Sequence, residues 1–479
     1  MGVDVLDTDQ AGTRVVRGGM LRTVSYAAGI LVGLIATPLL TRHLGPLAFG
    51  RYNTVTSLMF IVTGLSEGGL LAIGIRELSV RDHGERREFM RIYLGMRTVL
   101  VVVGFALAVI FAVAAGYPHV ILVGALISGA GLLLTNAYDV VTVPLQVQLR
   151  LGWTAALEFL RQVITTVLIV VLVAVGAGIY PFFTLTAIAS GAAAVVGYTR
   201  TRRDVPLRPR FDMAQWWPLI RDAIPYTVAT AVAIVYYRVA VVLMTLLSTT
   251  LQTGYFSLAF RTVEIATGLP WLIVSSAFPV LTRAARDDPQ RLRYALQRLF
   301  EACAALGAGV ALLIAIGAPT AVALIGGHAF KAAVEPLRVL GVAMIGTFFI
   351  ALWGQALLSL REHAALLAAN ASALVVALAL TLALAPSHGA LGGAISTTGT
   401  ELWLAGVYLA VLVRRHPHLR PDPRVLLRIA VAVVAAGVPA FFLPALPAAL
   451  AAAVIYTALL VALRAIPAEV FEALNLRRP

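Results

Sequence analysis

One recurrence limits what this chain can fold into. Some fourteen stretches of mostly apolar residues follow one another along it, each about 20 residues long. At 1.5 Å of helical rise per residue, each can cross a bilayer core of about 30 Å. Six fall between Val24 and Tyr198, and eight between Ile224 and Leu463. Of the 479 residues 60% are hydrophobic and only 13% charged. Soluble domains carry about 25% charged residues. No single soluble core could enclose so much apolar surface. The expectation is an all-α polytopic membrane protein with about 14 transmembrane helices.

The formal net charge of +14 would suit nucleic acid, but its placement argues otherwise. Connections rich in arginine alternate with short ones that have almost none. Arg76 to Arg97, Arg200 to Arg221, Arg283 to Arg298 and Arg414 to Arg428 form one set, together with Arg14, Arg17 and Arg22. Gly176 to Pro181 and Pro386 to Gly389 belong to the other. Basic loops stay in the cytoplasm, which puts both termini there. The charge is thus mainly an orientation signal, with anionic head groups as a second attraction. No nucleic-acid partner is expected. The run from Val24 to Leu40 reads as an uncleaved first helix. FDMAQWWPLIRDAIP reads as an interfacial segment, with Trp216 and Trp217 at head-group depth.

The chain repeats itself at an offset of 204 residues. LLTRHLGPLAFGRYNTVTSLMFIVTGL (39–65) then lies on LMTLLSTTLQTGYFSLAFRTVEIATGL (243–269), with Gly50 on Gly254 and Thr63-Gly64-Leu65 on Thr267-Gly268-Leu269. Spans one and two pair with spans seven and eight. An even period keeps the two copies in one orientation. The expected organisation is two pseudo-symmetric six-helix lobes around a central cavity. Residues 1–210 form the first lobe, 211–418 the second, and 419–479 two extra helices and a tail.

Few charges interrupt the spans, and each costs several kcal/mol unless it faces water or a partner. Arg261 and Glu264 stand three apart in span eight. They could form a self-neutralising pair. Alternatively Arg261 lines a wet cleft and holds a phosphate, for which its planar fork is suited, while Glu264 orients it. Arg238 in span seven lies at similar depth with no acid within a turn. Its partner is elsewhere in the fold or is a ligand. Glu158 and Arg161 read as a structural pair. Glu67, Asp139 and Glu401 are candidates for ion coupling. No soluble catalytic constellation, metal-ligand pattern or phosphate-cradling loop is present, so neither a cofactor nor a catalytic residue is expected.

The stretch RHLGPLAFGRYNTVTSLMFIVTGLSEGGLLAIGIRELS resembles the first helical hairpin of the polysaccharide-biosynthesis flippases. These are O-antigen-type lipid-linked oligosaccharide flippases of the multidrug/oligosaccharidyl-lipid/polysaccharide exporter superfamily. Leu44-Gly45, Phe49-Gly50, Tyr52 and Arg76 carry that likeness. Ala259-Phe260-Arg261 with Pro279 and Arg283, and then LIGGHAFKAAVEPLRVL, continue it over most of the first 360 residues. The resemblance implies a fourteen-helix transporter with alternating access, in a bacterial or archaeal plasma membrane. Its substrate would be an oligosaccharide on a polyprenyl diphosphate, moved from the inner to the outer leaflet. Arg238, Arg261 and Glu264 would line its cavity, with Arg42 and Arg51 at the outer ends of the first two helices. Glycosyltransferases and a glycan polymerase would be its partners. Lipid II flippases carry several arginines inside those first two helices, where this chain has none. Two rival readings are a proton- or sodium-coupled drug or metabolite antiporter of the same superfamily, and a membrane glycan transferase or polymerase.

Overall fold

The protein is described here from a computed structural model, covering residues 10–67, 69–202, 205 and 208–465. Side chains are not described for 10–27, 30, 31, 34, 83, 225, 226 and 229. The side chains of Arg14, Arg17, Arg22, Arg477 and Arg478 therefore lie outside the described residues. Among those described there is no strand, only helix and turn.

Two compact units divide the chain, Met1–Ile234 and Val235–Pro479. The first holds α1 (Gln10–Glu67), α2 (Leu70–Val80), α3 (His83–Ala114), α4 (His119–Val147), α5 (Leu151–Ala174), α6 (Ile179–Phe182) and α7 (Leu185–Thr201). The division falls within α8 (Met213–Leu247). The second holds α9 (Thr250–Ala266), α10 (Gly268–Asp287), α11 (Pro289–Ile325), α12 (Val334–Ser359), α13 (His363–Arg415), α14 (Arg424–Gly437) and α15 (Ala445–Ala462).

Twelve described helical stretches are long and apolar enough to cross a membrane. Two of the helices are too long for one crossing. A straight helix of 53 residues such as α13 would reach about 80 Å. Gly389, at φ 54° and ψ −130°, breaks it. The two arms then lie side by side: Asn370 donates to the Tyr408 hydroxyl at 3.1 Å, and Thr381 and Ser396 share a hydrogen bond at 2.7 Å. Gly45, at φ 68° and ψ 173°, breaks α1 in the same way. Counting each arm separately brings the crossings to about fourteen, the number expected. Only glycine takes such a φ at no steric cost.

The two copies of the 204-residue repeat do not break in register. α1 runs through Thr63 and ends at Glu67, two residues past the first copy, with Gly69 at φ 72° before α2. In the second copy α9 ends at Ala266, and Thr267, the counterpart of Thr63, separates it from α10. The preceding turn is built differently in each: Gly45 bends the first, while Thr249 caps α9 by accepting from the Gln252 amide at 3.2 Å.

The stretch expected to be interfacial forms the first turns of α8, and it and the preceding Arg210 are fixed to α3. The Arg210 amide donates to the Arg91 carbonyl at 2.9 Å, and Trp216 Nε1 to the Ile92 carbonyl at 3.2 Å. The Arg210 guanidinium pairs with Glu88, which holds it above its ordinary pKa. Trp216 is therefore buried in the unit-1 core beside Met90 and Tyr93. Only Trp217 of the expected pair is exposed. In the second unit Trp353 is fully buried and stacks on Phe300 at 5.8 Å. The last helix docks on α11, where the Tyr456 hydroxyl donates to the Ala305 carbonyl at 2.7 Å.

Candidate functional site

Arg238 lies on α8 and Arg261 and Glu264 on α9, all within the second unit. Arg261 is about 16 Å along α9 from its start at Thr250, and Arg238 about 14 Å back from the end of α8. The missing acid for Arg238 is thus 26 residues away in sequence. One oxygen of the Glu264 carboxylate accepts from Arg238, and the other from Arg261 Nη1 at 2.8 Å. Glu264 touches Arg261, as a neighbour three residues on along one helix face can. It also serves a second arginine, which the sequence did not disclose.

The three side chains differ in exposure: 51% for Arg261, 17% for Glu264 and 11% for Arg238. Arg238 is packed between rings, its guanidinium carbon 5.4 Å from the centre of Tyr237 and 5.5 Å from that of Phe260. Cation–π attraction and the carboxylate together offset its desolvation. Within the triad two guanidinium groups share one carboxylate. The buried members hold the open one in place.

Glu401 on the second arm of α13 is 5% exposed. Thr347 donates to it at 3.0 Å, and among the described residues no basic side chain pairs with it. It lines a cavity of about 10 Å³ with Tyr236, Tyr237, Ser396, Thr397 and Thr400. Gly346 on α12 lies directly against the Glu401 backbone, where a Cβ would come within 2.9 Å.

The other candidates lie in the first unit. Arg42 is exposed and Arg51 half-buried, on either side of the Gly45 bend. Glu67 ends α1. Asp139 on α4 accepts from Arg97 Nη2 at 3.2 Å. That corrects the placing of Arg97 in the basic loop. It lies well inside α3 and is 1% exposed. The expected Glu158–Arg161 pair is present at 2.7 Å, and the Tyr138 hydroxyl donates to Glu158 at 3.1 Å. Among the described residues no group of three or more His, Cys, Asp or Glu could hold a metal ion.

This fold is that of known transporters. The chain superposes on the lipid II flippase MurJ in an inward closed conformation with a TM-score of 0.77 and 11% identity, covering 93% of this chain and 98% of that one. An inward-facing multidrug resistance MATE family transporter of the MOP superfamily gives 0.64 and 14%, over 82% and 95% of the two chains. A MOP superfamily transporter from Pyrococcus furiosus Vc1 (DSM3638), described as having a binding pocket of reverse polarity, gives 0.59 and 15%, over 86% and 97%. No curated protein matches the chain. Residues 15–285 match the polysaccharide biosynthesis proteins, and the chain belongs to that family. It is a multi-pass membrane protein with the fold of the flippases and transporters of that superfamily.

Proposed function

We propose that the protein carries a polyprenyl-diphosphate-linked oligosaccharide from the inner to the outer leaflet by alternating access. The observation that carries this reading is the Arg238–Glu264–Arg261 triad. It sets two guanidinium groups within stretches apolar enough to span the membrane, and an anionic diphosphate is the ligand their chemistry suits. Half-exposed Arg261 donates two parallel bonds to the phosphate oxygens. Glu264 and Arg238 position it. Arg42 and Arg51 take the same anion, or acidic sugars, at the outer face. The positive-inside rule sets both termini in the cytoplasm of a bacterial or archaeal cell. Glycosyltransferases and a polymerase then stand on either side of the flipping step.

Proteoliposomes loaded with lipid-linked oligosaccharide test this. Arg261→Ala removes charge-assisted bonds of about 1.5–3 kcal/mol, so translocation should slow at least about tenfold. Arg261→Lys should fall between Ala and wild type, because lysine keeps the charge and loses the fork. Wild-type rates in both variants would refute the assignment.

A second reading, the ion-coupled antiporter, draws support from Glu401, a buried carboxylate beside a small cavity edged by serine, threonine and tyrosine. Glu67 and Asp139 are its other exchange groups. Uptake of a cationic compound driven by a proton or sodium gradient, and abolished in Glu401→Gln, would favour it over the flippase.

A further inference from the structure

Arg97 is the most deeply buried charge among the described residues, and neither reading above uses it. We infer that Arg97 is a shared cation which a proton on Asp139 releases to Glu67, switching the break between α1 and α2. This rests on the second, ion-coupled reading and deepens it, joining two carboxylates there named separately into one device.

The geometry supplies each part. In the structure Arg97 Nη2 donates to Asp139, while its buried Nε and Nη1 find no acceptor among the described residues. The Asn136 side-chain oxygen nearby on α4 is buried and likewise without a donor. Asn136 donates to Thr98, the residue after Arg97, at 3.3 Å. A buried guanidinium with two of its three nitrogens unsatisfied is poised for a second acceptor. Glu67 is placed to be that acceptor. It lies within electrostatic reach of both Arg97 and Asp139. Its neighbour Ser66 donates to the Leu100 carbonyl at 3.4 Å, so the end of α1 runs along the same stretch of α3.

Charge balance gives the proton its role. Glu67 and Asp139 together carry two negative charges against one guanidinium. Arg161 also acts on Asp139, but it is matched by Glu158, to which Tyr138 donates. Tyr93 is the remaining titratable group against Arg97. One proton on Asp139 brings the trio to neutrality and removes the present partner of Arg97. The guanidinium then has one anion left to pair with, Glu67.

The consequence reaches the backbone through Tyr93. It stands one turn before Arg97 on the same face of α3, with the guanidinium carbon 5.9 Å from its ring centre. Its hydroxyl donates to the Leu70 carbonyl, the first residue of α2, at 3.0 Å. Gly74 leaves room for that ring, since a Cβ would lie 2.7 Å from it. Moving Arg97 toward Glu67 changes what Tyr93 packs on and loosens the first turn of α2, next to Gly69.

Hydrogen exchange on the purified full-length protein, without substrate, reads this directly and does not depend on what the protein transports. After correction for intrinsic rates, amides at the start of α2 should exchange about fivefold faster at about pH 5 than at about pH 8. Asp139→Asn should show the faster rate at both pH values. Glu67→Gln, which leaves Arg97 no second acceptor, should show the slower rate at both. A wild-type protein without this pH response overturns the switch, as does either variant keeping the wild-type response. Loss of flipping in Arg261→Ala with this exchange pattern intact would separate the two sites.

Discussion

Glu264→Ala is expected to destabilise the protein by about 3–5 kcal/mol, because it leaves the buried Arg238 cation without its anion. The aromatic rings beside Arg238 cannot replace it, since cation–π contacts give about 2 kcal/mol at best when desolvated. Arg261→Ala should have little effect on stability, its side chain being half-exposed and its loss leaving the buried pair intact. The double substitution Arg238→Met with Glu264→Leu should recover most of the lost stability, because well-packed apolar residues replace a buried ion pair at no net cost. The double variant should nonetheless fail to translocate lipid-linked sugar. Thermal unfolding in detergent, followed for all four proteins, measures the first part, and the proteoliposome assay measures the second. A Glu264→Ala protein as stable as wild type would mean that water, not the carboxylate, solvates Arg238. The positioning role given to the buried pair would then fall.

The same triad shows how far the sequence could be read. Arg261 and Glu264 share a helix face, so their contact follows from spacing alone. Arg238 and Glu264 are on different helices, and nothing in a one-dimensional pattern names that partner. The sequence did show that Arg238 had none on its own helix. Arg97 was harder. It closes a basic run and opens an apolar one, so hydropathy assigns it to the loop. The structure extends α3 through that run to His83, and Asp139 waits 42 residues further on. A cue was present in Tyr93 and Arg97 at spacing four, a face that α3 turns inward. The helix count was legible because apolar runs recur at bilayer length, and Gly45 and Gly389 fall in the breaks between such runs. The way each copy of the repeat closes its first turn was not legible, since a glycine and a threonine cap do the same work there.

The bend in α13 provides the sharpest steric prediction. Beyond Gly389 the chain turns back so tightly that a Cβ on Gly392 would lie 2.2 Å from the Leu384 carbonyl oxygen and 2.6 Å from its carbon. Both are backbone atoms, so no side chain can rotate out of the way. Gly392→Ala must therefore part the two arms. The buried bonds that join them stand at risk, Thr381 to Ser396 and Asn370 to Tyr408. Overpacking costs about 1–3 kcal/mol where neighbours can shift, and a fixed backbone puts this site at or above the upper end. Gly406 is the control, on the second arm of the same helix with nothing within 4 Å of where a Cβ would stand. Gly406→Ala should be neutral or stabilising by up to about 1 kcal/mol, as alanine exceeds glycine in helix propensity. Unfolding temperatures of the two purified variants should fall on opposite sides of, or unequally below, the wild-type value, with Gly392→Ala far the lower. Equal stability would mean that the arms separate without cost. The bend would then be a flexible joint, and Glu401, twelve residues beyond it, would not be held against Gly346 by a rigid hairpin.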